Sequence, residues 1–169
     1  MQLDNSQFFP ASIDSRAWIV TSIVIGVILT CVAISRNVLA GAAGAAVIII
    51  SYALAPRGYA ILGRSLVVKR RLWRSVSISL ESVRELRPAA ADDLRGALRL
   101  WGNGGVFGYY GLFQTAKLGR CRWFLTNRSN AVLLVTEEKT VLVSPDDVSG
   151  FLAAVRGTFE ETIRRESSP

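Results

Sequence analysis

Residues 17–34, AWIVTSIVIGVILTCVAI, and 38–55, VLAGAAGAAVIIISYALA, are two uncharged apolar runs of 18 residues each, separated only by Ser35-Arg36-Asn37. As helices rising about 1.5 Å per residue, each would extend about 27 Å, close to the roughly 30 Å hydrocarbon core of a bilayer. Both therefore read as transmembrane helices, with Trp18 and Tyr52 able to sit in the interface. The short link makes them antiparallel neighbours. A buried helix pair in a globular core fits less well, because the charges of the chain lie almost wholly outside the runs. A cleaved signal peptide is excluded by the flank: Met1 to Ala17 carries Asp4 and Asp14 against Arg16 alone, and a second run follows at once.

Small residues, Ala40 to Ala46 in the second run and Gly26 in the first, permit close helix approach. Gly41-xxx-Ala45 could serve an oligomerisation face or pack within the hairpin, and the tethered partner helix favours packing.

Working outward, Pro56 to Arg74 holds six basic residues and no acid, whereas the N-terminal flank offers Arg16 and the link Arg36. The positive-inside bias puts the C-terminal part in the cytoplasm, and two spans return the N-terminus there too. Residues 56–169 hold 18 of the 20 basic and 11 of the 13 acidic residues, so the whole net charge of +7 rests in that part. A hydrophobic fraction of 50% agrees with a membrane class. Histidine is absent, which removes the commonest general base and metal ligand near neutral pH. Cys31 and Cys121 fall in different environments, so no disulfide is expected, and no metal-ligand spacing exists.

The remainder reads as short strands followed by one helix. Residues 59–62 and 66–69 are the first two strands, and Val76, Ile78 and Leu80 alternate with Ser77 and Ser79, the period of a half-buried strand. After a long insertion come 113–117, 121–126, 131–136 and 140–143, which makes about seven. Ser144 is expected to cap a helix from about 145 to 165, with Pro145, Asp146 and Asp147 in its first turn. Val148, Phe151, Leu152, Val155, Phe159 and Ile163 give it one apolar face.

Ser51 to Tyr59, Gly104 to Phe113, Phe124-Leu125-Thr126-Asn127, and Val143 to Asp147 with Phe151-Leu152 resemble bacterial membrane proteins that carry a pleckstrin-homology-like (PH-like) domain. The resemblance covers about residues 50–160. It implies a PH-like barrel of about seven antiparallel strands capped by a C-terminal α-helix, and no enzymatic activity. The expected organisation is an N-terminal cytoplasmic segment over 1–16, a transmembrane hairpin over 17–55 with spans 17–34 and 38–55, a PH-like domain over 56–165 and a tail over 166–169. The expected location is a bacterial inner membrane, crossed twice, with both termini cytoplasmic.

Gly102 to Gly108 lacks the third glycine of G-x-G-x-x-G, which would have to stand at Phe107, and neither a βαβ unit nor a P-loop Lys flanks it. Two readings remain for its aromatics: Trp101, Phe107, Tyr109, Tyr110 and Phe113 form an interfacial loop, or they fill the barrel from a glycine-kinked strand. Arg57, Arg64, Lys69, Arg70, Arg71 and Arg74 are candidate contacts for anionic phospholipid, or topology-setting charge with no ligand. Asp92-Asp93 and Glu137-Glu138 read as solubilising loop charge.

No catalytic residue, cofactor or metal is assigned, and no nucleic acid is expected. Two inserted helices anchor a chain effectively irreversibly, so recruitment by lipid is superfluous. A scaffold with a protein partner or homo-oligomer is the expected function, with local sensing of lipid headgroups as the alternative.

Overall fold

The computed structural model describes residues 7–35 and 37–166. Asp4, Arg36, the side chains of Phe159 and Ile163, and the end of the C-terminal tail lie outside the described residues. Two helices, α1 (Ser15–Ser35) and α2 (Val38–Leu54), form the expected hairpin. Asp14 caps α1 by accepting the Ala17 N–H at 2.7 Å, and Asn37 Oδ1 accepts those of Leu39 and Ala40 at 2.9 and 3.3 Å. Ser15–Ile34, 20 residues, is long and apolar enough to cross a membrane, whereas Val38–Leu54 is apolar but shorter. The glycines of α2 face α1: a Cβ on Gly44 would run into Ile28 and one on Gly41 would touch Val32, so this small-residue surface packs within the hairpin.

Strands β1 (Gln7–Pro10), β2 (Pro56–Leu62), β3 (Ser65–Arg70) and β4 (Val76–Ser79) form one antiparallel sheet in that order. From the sequence alone Gln7–Pro10 belongs to a separate N-terminal segment. Instead it pairs with β2, Phe9 opposite Tyr59, so the hairpin is spliced between two hydrogen-bonded strands. The second sheet holds β5 (Val83–Pro88), β6 (Leu98–Gly104), β7 (Tyr109–Thr115), β8 (Gly119–Leu125), β9 (Val132–Thr136) and β10 (Thr140–Val143), in the order β5-β9-β10-β8-β7-β6.

The described residues thus form ten strands rather than about seven, and they are not all antiparallel: β10 runs parallel to β8, with Leu142 opposite Trp123. Burial explains the arrangement. Val141, Leu142 and Val143 are buried on both faces, which places this short apolar strand in the middle of the sheet, between β9 and β8.

The two sheets pack face to face. Tyr59, Ile61, Leu66 and Val68 meet Tyr110, Phe124, Leu134 and Val141 between them. Helix α4 (Val148–Glu166) closes this core with Phe151, whose ring lies edge-on to Phe9 and Tyr59 at 5.4 and 6.2 Å. It starts later than expected. Asp147, not Ser144, is its cap, accepting the Gly150 N–H at 2.9 Å, which also holds its carboxyl below the usual carboxylate range. Ser144 is fully buried and accepts the Thr126 N–H at 2.8 Å instead.

The outer face of the second sheet is covered as well. Tyr109, Phe113, Cys121, Trp123 and Leu133 pack there with Leu94 of a short helix α3 (Ala91–Leu94) and with Ala17 of α1.

Candidate functional site

The glycine-rich segment turns between β6 and β7 and lands on the feet of the hairpin. Gly102 faces Gly111 across the two strands, and a Cβ on either would strike the other's backbone. The pair therefore lets the strands approach and twist. Beyond them, Asn103 Oδ1 accepts the Val106 N–H at 3.0 Å and Gly105 N–H donates to the Gly108 carbonyl at 2.9 Å. That closed turn forces Phe107 to φ +57°, a region costly for any residue but glycine.

The strain is held by what Phe107 meets. Its N–H donates to Thr21 Oγ1 at 2.9 Å, and its ring lies edge-on to Trp18 at 6.4 Å and Tyr52 at 5.2 Å. One residue thus wedges between α1 and α2. Tyr110, buried beside it, donates its hydroxyl to the Ser51 carbonyl, and Asp14 N–H donates to the Thr126 carbonyl at 3.0 Å. Burial pushes the Tyr110 phenol up. Arg71 N–H donates to the Ala55 carbonyl and Leu72 N–H to that of Ala53, at 3.0 and 3.1 Å, which satisfies carbonyls at the end of α2. The hairpin and the domain are one packed unit at this joint.

Neither sequence reading of the aromatics holds for all five. Phe107 is a wedge under the hairpin, Tyr110 lies in the inter-sheet core, and Tyr109 and Phe113 lie on the outer face of the second sheet. Trp101 alone is freely accessible, at 80% exposure on the edge strand β6. Thr21 carries no sequence signal, since its hydroxyl also donates to the Ala17 carbonyl at 2.7 Å as helical threonines commonly do.

The basic residues divide. Arg71 lies over the Tyr52 ring at 5.1 Å and Arg70 over Phe124 at 5.8 Å, both at the foot of α2, with Arg57, Lys69 and Arg74 on segments adjoining it. The Nε atoms of Arg70 and Arg71 are buried without a hydrogen-bond partner. Burial, with repulsion from Arg122 behind it, lowers the Arg70 pKa. Arg122 was not among the candidates because it lies far along the chain. Arg64 stands apart at the opposite end of β2 and β3, paired with Glu81 at 2.7 Å. Leu72 and Trp73, between the arginines, are exposed.

The paired acids also divide. Asp93 is fully buried and ion-paired with Arg87 and with Lys117, the latter at 2.9 Å, and it accepts the Ala90 N–H at 2.8 Å. Those partners, Arg87 first, hold its carboxyl well below the usual range. It is a structural staple, not solubilising charge. Glu137 is exposed and pairs with Arg84 at 3.0 Å. Among the described residues no group of three potential metal ligands comes together.

Two facing sheets closed by a C-terminal helix define a PH-like module, a class of interaction domain that is generally non-catalytic. Residues 57–158 match the bacterial PH domain family, and the chain belongs to it. No curated protein and no solved structure matches.

Proposed function

We propose that the chain is a membrane-anchored, non-enzymatic PH-like scaffold that holds an interaction surface at a fixed height and angle on the cytoplasmic face of a bacterial membrane. In this reading the hairpin of 17–55 crosses twice and both termini are cytoplasmic. The observation that carries it is the joint: the hairpin interrupts the β1–β2 pair and is pinned by Phe107, Tyr110 and Asp14. Beyond the joint, apolar side chains such as Ile23, Val27, Leu29 and Val47 face outward on both helices, as a lipid-facing surface requires. A module so held is presented to a partner rather than recruited by a signal.

The headgroup-sensing alternative finds support in Arg70 and Arg71, whose partnerless Nε atoms lie at the foot of α2 beside exposed Leu72 and Trp73. Crosslinking in native membranes followed by mass spectrometry tests the scaffold. It should return a reproducible protein neighbour or a homo-oligomer at domain residues. Saturable turnover of a metabolite by the purified protein, or crosslinks to lipid alone, would overturn it.

A further inference from the structure

On the outer face of the second sheet, the positions that β6 and β7 present are unusually bare. Gly104 stands opposite Tyr109 and Gly102 opposite Gly111, whereas β8 carries Trp123 beside Gly111. With the 94–97 segment overhanging, these gaps leave a cavity of about 610 Å³. That is a volume typical of sites for small organic ligands. Its floor is aromatic: Phe113 stacks on Trp123 at 4.2 Å and 13°, with Tyr109 alongside.

The rim is cationic. Arg95, Arg99 and Arg128 line the cavity and no acid does. Arg128 lies over the Tyr109 and Trp123 rings at 5.5 and 5.6 Å and donates one N–H to the Leu94 carbonyl at 3.3 Å, leaving further donors on its guanidinium. Among the described residues, Arg95 and Arg99 have no ion-pair partner, although other arginines of the domain find acids. Arg99 also lies across the bare Cα of Gly104. Three like charges around one concavity repel one another and focus a field that attracts anions.

We propose that this cavity binds a phosphate ester, its anion held by Arg95, Arg99 and Arg128 and its organic part lying over the bare backbone of Gly96 and Gly104. A carboxylate is satisfied by one forked guanidinium, whereas three of them suit a group with more oxygens and more charge. The cavity is also far larger than a bare anion needs, and the missing side chains at Gly96 and Gly104 leave room for the remainder above the packed aromatic layer. Gly105, next in sequence to Gly104 of the rim, packs against Val20 of α1, so the hairpin adjoins this rim. A phospholipid headgroup and a soluble phosphate ester share the chemistry required.

Calorimetric titration of the full chain in neutral detergent micelles separates them, using glycerol 3-phosphate in one arm and micelles doped with phosphatidylglycerol, against phosphatidylcholine, in the other. Arg95 and Arg99 are exposed, and among the described residues their side chains make no ion pair, so Arg95→Gln/Arg99→Gln should fold normally. The double variant should weaken binding about tenfold or more. Arg84→Gln/Lys139→Gln, which removes the same charge from β5 and from the β9–β10 turn, neither of them lining the cavity, should leave binding unchanged. Binding in the first arm identifies a soluble ester as sufficient, and binding only in the second identifies the lipid. Equal affinity of the two double variants in both arms, or no binding of either ligand, would overturn the proposal. Micelles are used throughout, so the result does not depend on the hairpin crossing a bilayer.

Discussion

The hydroxyl of Tyr59 accepts the backbone N–H of Ser144 at 2.8 Å, across 85 residues of sequence, and donates its own proton to the Phe124 carbonyl. Tyr59 lies on β2 of the first sheet and Phe124 on β8 of the second, so one fully buried phenol ties the sheets together and fixes where the chain leaves β10 for α4. Tyr59→Phe should cost about 1–3 kcal/mol, the penalty for a buried N–H left without its acceptor. Chemical denaturation of the full chain in neutral detergent measures it, and an unchanged midpoint would show that the link is energetically idle.

The same residue sets an alkaline limit. Burial pushes the Tyr59 phenol from 10 up to about 12, so the folded state keeps a proton that the unfolded chain releases above pH 10. Stability should be intact below pH 10 and fall between 10 and 12, and the fall should be smaller in Tyr59→Phe.

Asp93 sets an acid limit of opposite sign. Its pKa is lowered in the fold, so its ion pairs contribute above the ordinary value of 3.8 and are lost as pH falls below it. Asp93→Asn should lower stability by about 2 kcal/mol at pH 7, with Arg87 partly solvated and therefore able to recover some hydration. The deficit should begin to shrink below pH 3.8, where the unfolded wild type takes up a proton that folded Asp93 still refuses. A deficit that stays constant with pH would assign the effect to packing instead.

At the joint, Phe107→Ala removes the wedge between Trp18 and Tyr52, and Thr21→Val removes the acceptor for the Phe107 N–H. Each should cost about 2 kcal/mol or more locally. The expected readouts are faster amide hydrogen exchange across 104–110 and a broader distribution of spin-label distances from Asn37→Cys to Lys139→Cys. Unchanged distances in both variants would mean that the other contacts hold the domain alone.

Orientation is tested in a Cys31→Ser background. Cys121 should stay silent there, since it is buried and that burial pushes its thiol pKa up. In intact cells, Asn37→Cys should react with an impermeant maleimide from outside and Lys139→Cys only after lysis. External labelling at Lys139→Cys would reverse the proposed topology.

Strands β2 to β4 and β8 to β10 are legible because their apolar residues report burial directly, as the alternation around Ile78 does, and the two helices because uncharged apolar runs such as 17–34 and 38–55 are too long for strands. The strands that escape reading are those whose side chains report little burial. In β5, Arg84, Glu85 and Arg87 mix charge into the register, and β6 has no buried side chain at all. β1 is four residues ending in proline, recognisable only through its partner Tyr59. Chain order does not reveal that β10 would slip between β9 and β8. The joint and the arginine-rimmed cavity are invisible for a further reason: Thr21 meets Phe107, and Arg99 and Arg128 come to line one cavity, only after three-dimensional closure, and no local motif marks either.

Because Thr21 and Ser51 are tied to the domain and Ile48 packs on its core, only Ser22–Ser35 and Val38–Val47 stand clear of it. Fourteen residues rise about 20 Å, some 10 Å short of a roughly 30 Å hydrocarbon core. If the hairpin crosses as proposed, it would act as a depth gauge: either the bilayer would thin around it, or the domain's underside would sink into the headgroup layer and carry Trp18, Leu72 and Trp73 with it. The protein would then sort toward thin membranes, and lengthening the lipid tails should raise the strain on the Phe107 wedge before it unseats either helix.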